Sequence, residues 1–205
     1  MTVPPGSSFF HEMYDRFADP WGYETRWYEQ RKYAISMAQL PQVRYRRGFE
    51  PGCSIGVLTA QLAPRCDSLL SCDLVPAAAE AAARRMAGYP HVEVRQAAIP
   101  AQWPAGRFDL IVMSEILYYF AGPELGRVID KAVDALEPDG TLLAVHWRRP
   151  GRVQPRSGDE VHEILGRQPG LALLVSHREP DFLAEVFIRT DAEPRSVAQA
   201  TGLVP

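Results

Sequence analysis

The alternation of short apolar runs with amphipathic stretches from Tyr45 onward is the feature that most constrains the fold. Such alternation predicts strand–helix–strand units and a parallel sheet. The runs predict strands at 46–49, 69–72, 92–96, 108–113, 141–146, 171–177 and 183–189, and helices at 56–62, 77–87, 123–136 and 159–167. Only residues 178–182 separate the last two strands, too few for a crossover helix, so these strands are predicted to form an antiparallel hairpin.

The N-terminal segment is unusually aromatic, with nine of the chain's twenty aromatic residues between Phe9 and Tyr33. Helical periodicity predicts one helix around residues 9–17 and a second from Trp27 to Leu40, joined by a turn at 19–22. We expect a single domain over 1–205, with an aromatic helical cap at 1–40, a core at 45–190 and a loosely ordered tail at 191–205. Most of the aromatic residues are expected to join the cap to the core, and a minority to face a ligand.

Composition excludes several functional classes. A net charge of −3 and scattered charged residues argue against a nucleic-acid partner. Three cysteines suggest a reducing compartment. No run approaches the roughly 18 apolar residues of a membrane span, and residues 1–8 carry no leader pattern, so we expect a cytoplasmic protein without a membrane partner.

The loop after the first predicted strand has features of a cofactor site. It reads E-x-G-x-x-x-G from Glu50 through Gly52 to Gly56, and Asp73 follows Gly52 by twenty-one residues. Glycines let the backbone approach a ligand, and an acid at this distance suits ribose hydroxyls. The dinucleotide pattern G-x-G-x-x-G is absent, which argues against a dehydrogenase. Glu50 would repel phosphate but suits the ammonium and sulfonium of S-adenosylmethionine.

The loop, Asp73, the strand from Phe108 to Val112 and the terminal hairpin together resemble the class I S-adenosylmethionine-dependent methyltransferases. The resemblance implies an α/β, Rossmann-like sheet of seven strands in which only the last is antiparallel, with S-adenosylmethionine as cofactor. The cofactor-binding residues it implies are Glu50, Gly52, Cys53, Gly56, Asp73, Leu74, Ala98, Ser114 and Arg31. One departure is Gln96 in place of the family's usual acid after the third strand, which leaves the adenine contact to the backbone near Ala98.

Two polar residues lie at predicted strand ends that open beside the transferable methyl group. His146, with an unperturbed pKa near 6.5, is our candidate general base, and a structural strand-end histidine is the alternative. Glu115 could be a second base, a partner that fixes the tautomer of His146, or a binder of substrate hydroxyls. The candidate substrate wall is aromatic and consists of Tyr14, Trp21, Tyr118, Tyr119 and Trp147. His11 could join a metal site, but no ligand spacing supports one, and metal dependence stays open.

At closer range, the string from Phe108 to Tyr119, with Asp19-Pro20-Trp21 and Leu62 to Cys66, is similar to the nodulation protein S family, which N-methylates a chitin oligosaccharide amine. The tract from Gly140 to Arg148 is more similar to relatives that methylate sugar hydroxyls in methylmannose polysaccharide synthesis. We therefore expect O-methylation of a short, partly methylated mannose oligosaccharide, at the anomeric hydroxyl or another, with His146 as base. The alternatives are N-methylation of a glucosamine oligosaccharide and a non-catalytic partner subunit. Oligomeric state stays open, with a homodimer among the alternatives.

Overall fold

The computed structural model describes residues 7–149 and 153–204. Residues 1–6, which include most of the stretch considered for a leader, lie outside the described residues, as do 150–152 and 205. In the described part of the chain, no helix is long and apolar enough to cross a membrane.

One seven-stranded sheet forms the centre of the molecule. Its strands are β1 (Tyr45–Pro51), β2 (Cys66–Asp73), β3 (Val92–Gln96), β4 (Phe108–Ser114), β5 (Leu136–Trp147), β6 (Leu171–Arg178) and β7 (Phe182–Arg189). The order is β3-β2-β1-β4-β5-β7-β6, and β7 runs antiparallel to both of its neighbours while the other pairings are parallel. The predicted fold class, including the antiparallel last strand, is confirmed.

Helices lie before and between the strands. They are α1 (Ser7–Arg16), α2 (Trp27–Gln39), α3 (Val57–Leu62), α4 (Pro76–Arg85), α5 (Pro123–Ala135), α6 (Gly158–Leu165) and α7 (Val197–Ala200). Single 3₁₀ turns span Ala63–Arg65 and Leu117–Tyr119. The two cap helices, α1 and α2, agree with the aromatic periodicity of the sequence.

Two boundaries differ from the sequence prediction. The fifth strand begins at Leu136, because Pro138 to Gly140 do not end the element but form an irregularity in it: Asp139 has a φ of +59°, and the pairing shifts register opposite Phe108 and Leu110. The tail, expected to be loosely ordered, contains α7, because the Ser196 side chain accepts a hydrogen bond from the Gln199 backbone in a capping box.

Buried side chains on the two faces of the sheet form two apolar cores. On β4, Ile111 and Met113 belong to the core covered by α5, whereas Leu110 and Val112 belong to the opposite core. Tyr33 of α2 is a member of the second core. The cap is therefore anchored on the sheet, beside the carboxyl ends of the parallel strands, where open α/β sheets bind ligands.

Candidate functional site

The loop after β1 curls tightly over the end of β2. The backbone amides of Gly52 and Cys53 both donate to the Cys72 carbonyl, at 2.7 and 2.9 Å. Gly52 has a φ of +74°, and a Cβ at this position would lie 2.9 Å from Cδ1 of Ile116. A side chain at Gly52 would therefore be strained and would intrude on a cavity wall, so the glycine keeps backbone exposed to a ligand.

Glu50 lies behind this loop rather than in a cavity wall. Its Oε2 atom accepts hydrogen bonds from the hydroxyls of Thr59 at 2.6 Å and Ser71 at 2.9 Å, and only 2% of the residue is exposed. Burial raises the pKa of Glu50 to about 7, although the two hydroxyls oppose the shift. Gly56 also lies behind the loop, where a Cβ would be 3.0 Å from the Cα of Ala82 in α4.

Asp73 ends β2 with its carboxylate in the cavity wall. Its two oxygens accept hydrogen bonds from the backbone amides of Ser54 and Val75, each at 2.9 Å. Burial raises the pKa of Asp73, while these amides oppose the shift. The Leu74 amide is a third backbone donor, and a carboxylate has about four acceptor positions, so at least one stays available. The carboxylate is therefore fixed in place and can still accept hydrogen bonds from ribose hydroxyls.

A first cavity of about 850 Å³ opens between this loop and the cap. Of the predicted site residues, the wall brings together Tyr14, Trp21, Gly52, Asp73, Leu74, Ala98, Glu115 and Tyr119. The Tyr14 hydroxyl is hydrogen-bonded to the Ser54 hydroxyl, so cap and loop close around the cavity.

Other predicted cofactor residues are not in this wall. Cys53 is buried beside the loop, and Ser114 is half-buried at the end of β4. Arg31, expected near the methionine carboxylate, instead pairs with Glu179 at 2.7 Å. The physical reason is that α2 directs this side chain towards the β6–β7 connection, where the Glu179 carboxylate compensates its positive charge.

A second cavity of about 760 Å³ adjoins the first. The two share Trp21, Tyr23, Glu115 and Tyr119 in their walls. The second is further lined by Arg26, Tyr28, Glu29, Lys32, Tyr118, Trp147 and Gln154. Glu115 therefore lies where the two cavities meet.

Glu115 is held by three donors. Its Oε1 accepts from the Lys32 ammonium at 2.7 Å, and its Oε2 from the Tyr118 hydroxyl and from the Trp147 amide at 3.0 Å. Its backbone has a φ of +55°, and its amide donates to the Val145 carbonyl at 2.8 Å. A carboxylate oxygen accepts about two hydrogen bonds. Oε2 is thus fully used, and Oε1 keeps one acceptor position for a substrate.

Sequence reasoning missed Lys32 and Glu29. Lys32 is only 2% exposed, and its Nζ lies 2.8 Å from Oε2 of Glu29 as well as against Glu115. The i,i+3 spacing of Glu29 and Lys32 within an aromatic helix was the available signal. Glu115, the third member, was predicted as a site residue, but its pairing with Lys32 could not be predicted because it follows β4, far along the chain.

His146, expected to be the general base, lies in neither cavity wall and is fully buried. Its Nε2 accepts from the Leu117 amide at 3.2 Å, so Nδ1 carries the hydrogen and donates to Nε2 of His162 at 3.0 Å. His162 in turn donates from Nδ1 to Glu185 at 2.7 Å. Burial lowers the pKa of His146 well below its usual value. The expectation of a general base is therefore corrected: both nitrogens are occupied, and the residue is a structural strand-end histidine.

No group of three or more His, Cys, Asp or Glu side chains placed to hold a metal ion occurs among residues 7–149 and 153–204. His11 of α1 is therefore not joined to His146 and Glu115 in such a cluster.

The fold and the glycine loop with its acidic strand-end residue define the class of the protein: it belongs to the S-adenosylmethionine-dependent methyltransferases. Residues 11–150 match the family model described as Nodulation protein S (NodS). The chain belongs to the nodulation protein S family, as the motifs around Phe108 to Tyr119 indicated.

Three known proteins are similar to this chain over most of its length. Nodulation protein S of Bradyrhizobium diazoefficiens is 34% identical over 131 residues, which cover 61% of each chain. A candidate methyltransferase structure from Pseudomonas syringae is 50% identical, with a TM-score of 0.72, over 80% of this chain and 100% of that one. The N-methyltransferase NodS of Bradyrhizobium japonicum, in complex with S-adenosyl-L-homocysteine, is 27% identical, with a TM-score of 0.78, over 87% of this chain and 97% of that one. The chain spans 53% to 61% of the length of the three nodulation protein S sequences it matches.

Proposed function

We propose that this protein transfers a methyl group from S-adenosylmethionine to a free amine on a glucosamine-containing oligosaccharide. The observation that carries the proposal is the contrast between His146 and Glu115. His146, the candidate base for a hydroxyl acceptor, has both nitrogens committed, whereas Glu115 keeps one acceptor position where the two cavities meet. Membership of the nodulation protein S family, and its N-methyltransferase member, support an amine acceptor over a mannose hydroxyl.

The first cavity suits the cofactor. Its backbone approach at Gly52, its fixed Asp73 carboxylate and the apolar Leu74, Ala98 and Ile99 offer the contacts that a nucleoside requires. When bound, S-adenosylmethionine supplies a methyl group on a positively charged sulfur. Ala98 contributes through its position in the wall, since its amide already donates to the Gln102 side chain at 2.8 Å.

The second cavity suits a sugar acceptor. Tyr28 and Trp147 meet edge to face with ring centroids 5.5 Å apart, and Tyr118 completes an aromatic wall with a hydroxyl held by Glu115. Aromatic faces pack on the apolar face of a sugar ring, while the neighbouring carboxylates accept hydrogen bonds from amine and hydroxyl groups.

Glu115 is placed to orient the acceptor amine for the reaction. As the carbon–sulfur bond breaks and the carbon–nitrogen bond forms, positive charge passes from sulfur to the acceptor nitrogen, whose surplus proton later leaves to solvent. The free acceptor position on Oε1 of Glu115 can take an N–H of the neutral amine and so hold its lone pair towards the methyl group. A neutral amine is already nucleophilic, so the proximity of the two cavities provides the main advantage, which can reach roughly 7–11 kcal/mol.

The test is methyl transfer from labelled S-adenosylmethionine to glucosamine oligosaccharides, with fully acetylated chitin fragments and mannosides of equal length as controls. We expect label only in acceptors with a free amine, and the product mass and fragmentation should locate it on nitrogen. Label on a mannoside hydroxyl, or on the acetylated fragments, would overturn the proposal.

We further propose that the chain is a single domain that acts in the cytoplasm and that its partner is a small oligosaccharide substrate. Tyr33 of the cap shares a core with the sheet, and Cys53, Cys66 and Cys72 are free and buried, as a reducing compartment allows. Sedimentation analysis would decide between a monomer and a homodimer.

A further inference from the structure

A buried cluster of alternating charge lies in the wall of the second cavity. The Lys32 ammonium lies between Oε1 of Glu115, at 2.7 Å, and Oε2 of Glu29, at 2.8 Å. The rings of Tyr28 and Tyr33 cover it, with centroids 5.2 and 5.8 Å from Nζ. The ammonium of Lys32 thus occupies the position that a cationic substrate would otherwise take beside Glu115.

The two carboxylates are held differently. Glu115 receives three directed hydrogen bonds, whereas Glu29 is held by its ion pair with Lys32 at 2.8 Å. Burial raises the pKa of Glu29, although Lys32 opposes the shift. For Lys32 itself burial lowers the pKa, but Glu115 and Glu29 outweigh it and raise the pKa overall. If the ammonium were removed, both carboxylates would lose their counterion, and burial would favour the protonated form of Glu29.

Resting on the proposed amine acceptor, we infer that Lys32 is a positioning residue which compensates the charge of Glu115, so that the site binds the acceptor as a neutral amine rather than as an ammonium. An ammonium has no lone pair and cannot attack a methyl group. A buried carboxylate without a counterion binds ammonium preferentially and holds its proton. With Lys32 in place, an ammonium would meet a like charge, whereas a neutral amine can donate an N–H to the remaining acceptor position of Oε1.

The variant Lys32→Met removes the charge and keeps an apolar chain of similar length. In the wild type, the complex already contains the neutral amine, so kcat should vary less than about twofold between pH 7 and 9. In Lys32→Met the bound acceptor is an ammonium that must first lose its proton. Because the pH dependence of kcat reports groups in the substrate complex, kcat of the variant should rise about tenfold or more over this range.

Matched controls identify the group that titrates. Lys131→Met removes the chain's other lysine, which is exposed on α5, and should keep the wild-type profile. The double variant Lys32→Met/Glu29→Gln should keep the steep profile, because Glu29 is already protonated in the single variant. The charged or titratable groups that surround the cluster are Tyr23, Arg26, Tyr28, Tyr33, Tyr118, Tyr119 and His146. Burial raises the pKa of the five tyrosines and lowers that of His146, so neither the tyrosines nor the histidine titrates between pH 7 and 9.

Calorimetry gives a reading that does not depend on turnover. A glucosamine oligosaccharide is titrated into the enzyme loaded with S-adenosylhomocysteine, below the pKa of the amine, in two buffers of different ionisation enthalpy. Wild type and Lys131→Met should release a proton on binding, and Lys32→Met should release none.

The outcomes separate the two proposals. Loss of kcat by one constant factor at every pH, or unchanged proton release in Lys32→Met, would assign Lys32 a purely structural role and overturn the inference. A pH dependence that disappears in the double variant would overturn it too, since Glu29 would then be the titrating group. If the wild type neither binds nor methylates an amine, the proposed function itself fails, and the inference fails with it.

Discussion

Replacement of Glu50 by Gln should stabilise the protein at neutral and alkaline pH. Glu50 is 2% exposed, and the donors to its carboxylate are the hydroxyls of Thr59 and Ser71. The side-chain amide oxygen that the variant carries at this position can accept both hydrogen bonds, so the substitution removes the buried charge with little change in shape. A buried carboxylate without a cationic partner is costly once it ionises.

The size of the effect follows from the pKa. Burial raises the pKa of Glu50 from 4.5 to about 7. Between these values the folded state binds a proton that the unfolded state has released, so the stability contributed by Glu50 is lost as pH rises through this window. At about 1.4 kcal/mol for each pH unit, the loss is about 3 kcal/mol and is complete just above pH 7.

Urea denaturation of wild type and Glu50→Gln from pH 4.5 to 8.5, without cofactor, measures this difference. The two proteins should have similar free energies of unfolding at pH 4.5, and Glu50→Gln should be about 3 kcal/mol more stable at pH 8. Taking the difference at each pH cancels the contributions of the other titrating groups. A gap that stays constant with pH would refute the reasoning, because it would mean that Glu50 does not change its protonation on folding.

The affinity for the cofactor should change with pH in the opposite sense to the stability. If the charge of Glu50 acts on the cationic cofactor, the affinity of wild type for S-adenosylmethionine should rise from pH 6 to pH 8, as the carboxylate ionises. Glu50→Gln should bind more weakly than wild type at pH 8 and show no such rise. Calorimetry at these two pH values is sufficient, and equal affinities at pH 8 would exclude an electrostatic role for Glu50 in cofactor binding.

Three further substitutions test other parts of the structure. His162→Ala should destabilise the fold by about 3 kcal/mol, because it leaves buried partners unpaired, while turnover per folded molecule is retained; urea denaturation and active-site titration measure the two. Gly56→Ala should cost about 2 kcal/mol, because the residue has a φ of +79° and its Cβ would meet α4 at 3.0 Å, whereas Gly126→Ala, in open space on α5, should stabilise by about 1 kcal/mol. Trp147→Ala should raise KM for the acceptor and leave cofactor affinity unchanged, as steady-state kinetics and calorimetry would show.

Local pattern was sufficient to predict the sheet. Parallel strands need a crossover, and each predicted helix supplied one, while residues 178–182 left room only for a turn. The start of β5 could not be predicted in this way. Pro138 to Gly140 are typical of a break, and only pairing between Phe108 and Leu136 shows that the strand continues through them.

The cofactor loop could be predicted for the same local reason, whereas the role of His146 could not. Gly52 acts through its backbone geometry, and Asp73 through its position at the end of a strand. The spacing of residues in the sequence indicates both features directly. The role of His146 depends on its neighbours: the Leu117 amide from a 3₁₀ turn and His162 from α6 occupy its two nitrogens. A polar residue at a strand end thus identifies the edge where the site lies, without showing whether its side chain faces the ligand.

Glu50 and Glu115 differ in the donors that hold them, and this difference separates their roles. Glu50 is held by two hydroxyls, and a hydroxyl can donate to a carboxylate or accept from a carboxylic acid. Glu115 is held by the Tyr118 hydroxyl and also by the Lys32 ammonium and the Trp147 amide, which can only donate. The surroundings of Glu50 therefore tolerate both protonation states, whereas Glu115 is paired with a cation. A cation that binds in the first cavity is thus expected to displace a proton from Glu50, whereas an acceptor that binds beside Glu115 meets a carboxylate already paired with the Lys32 ammonium.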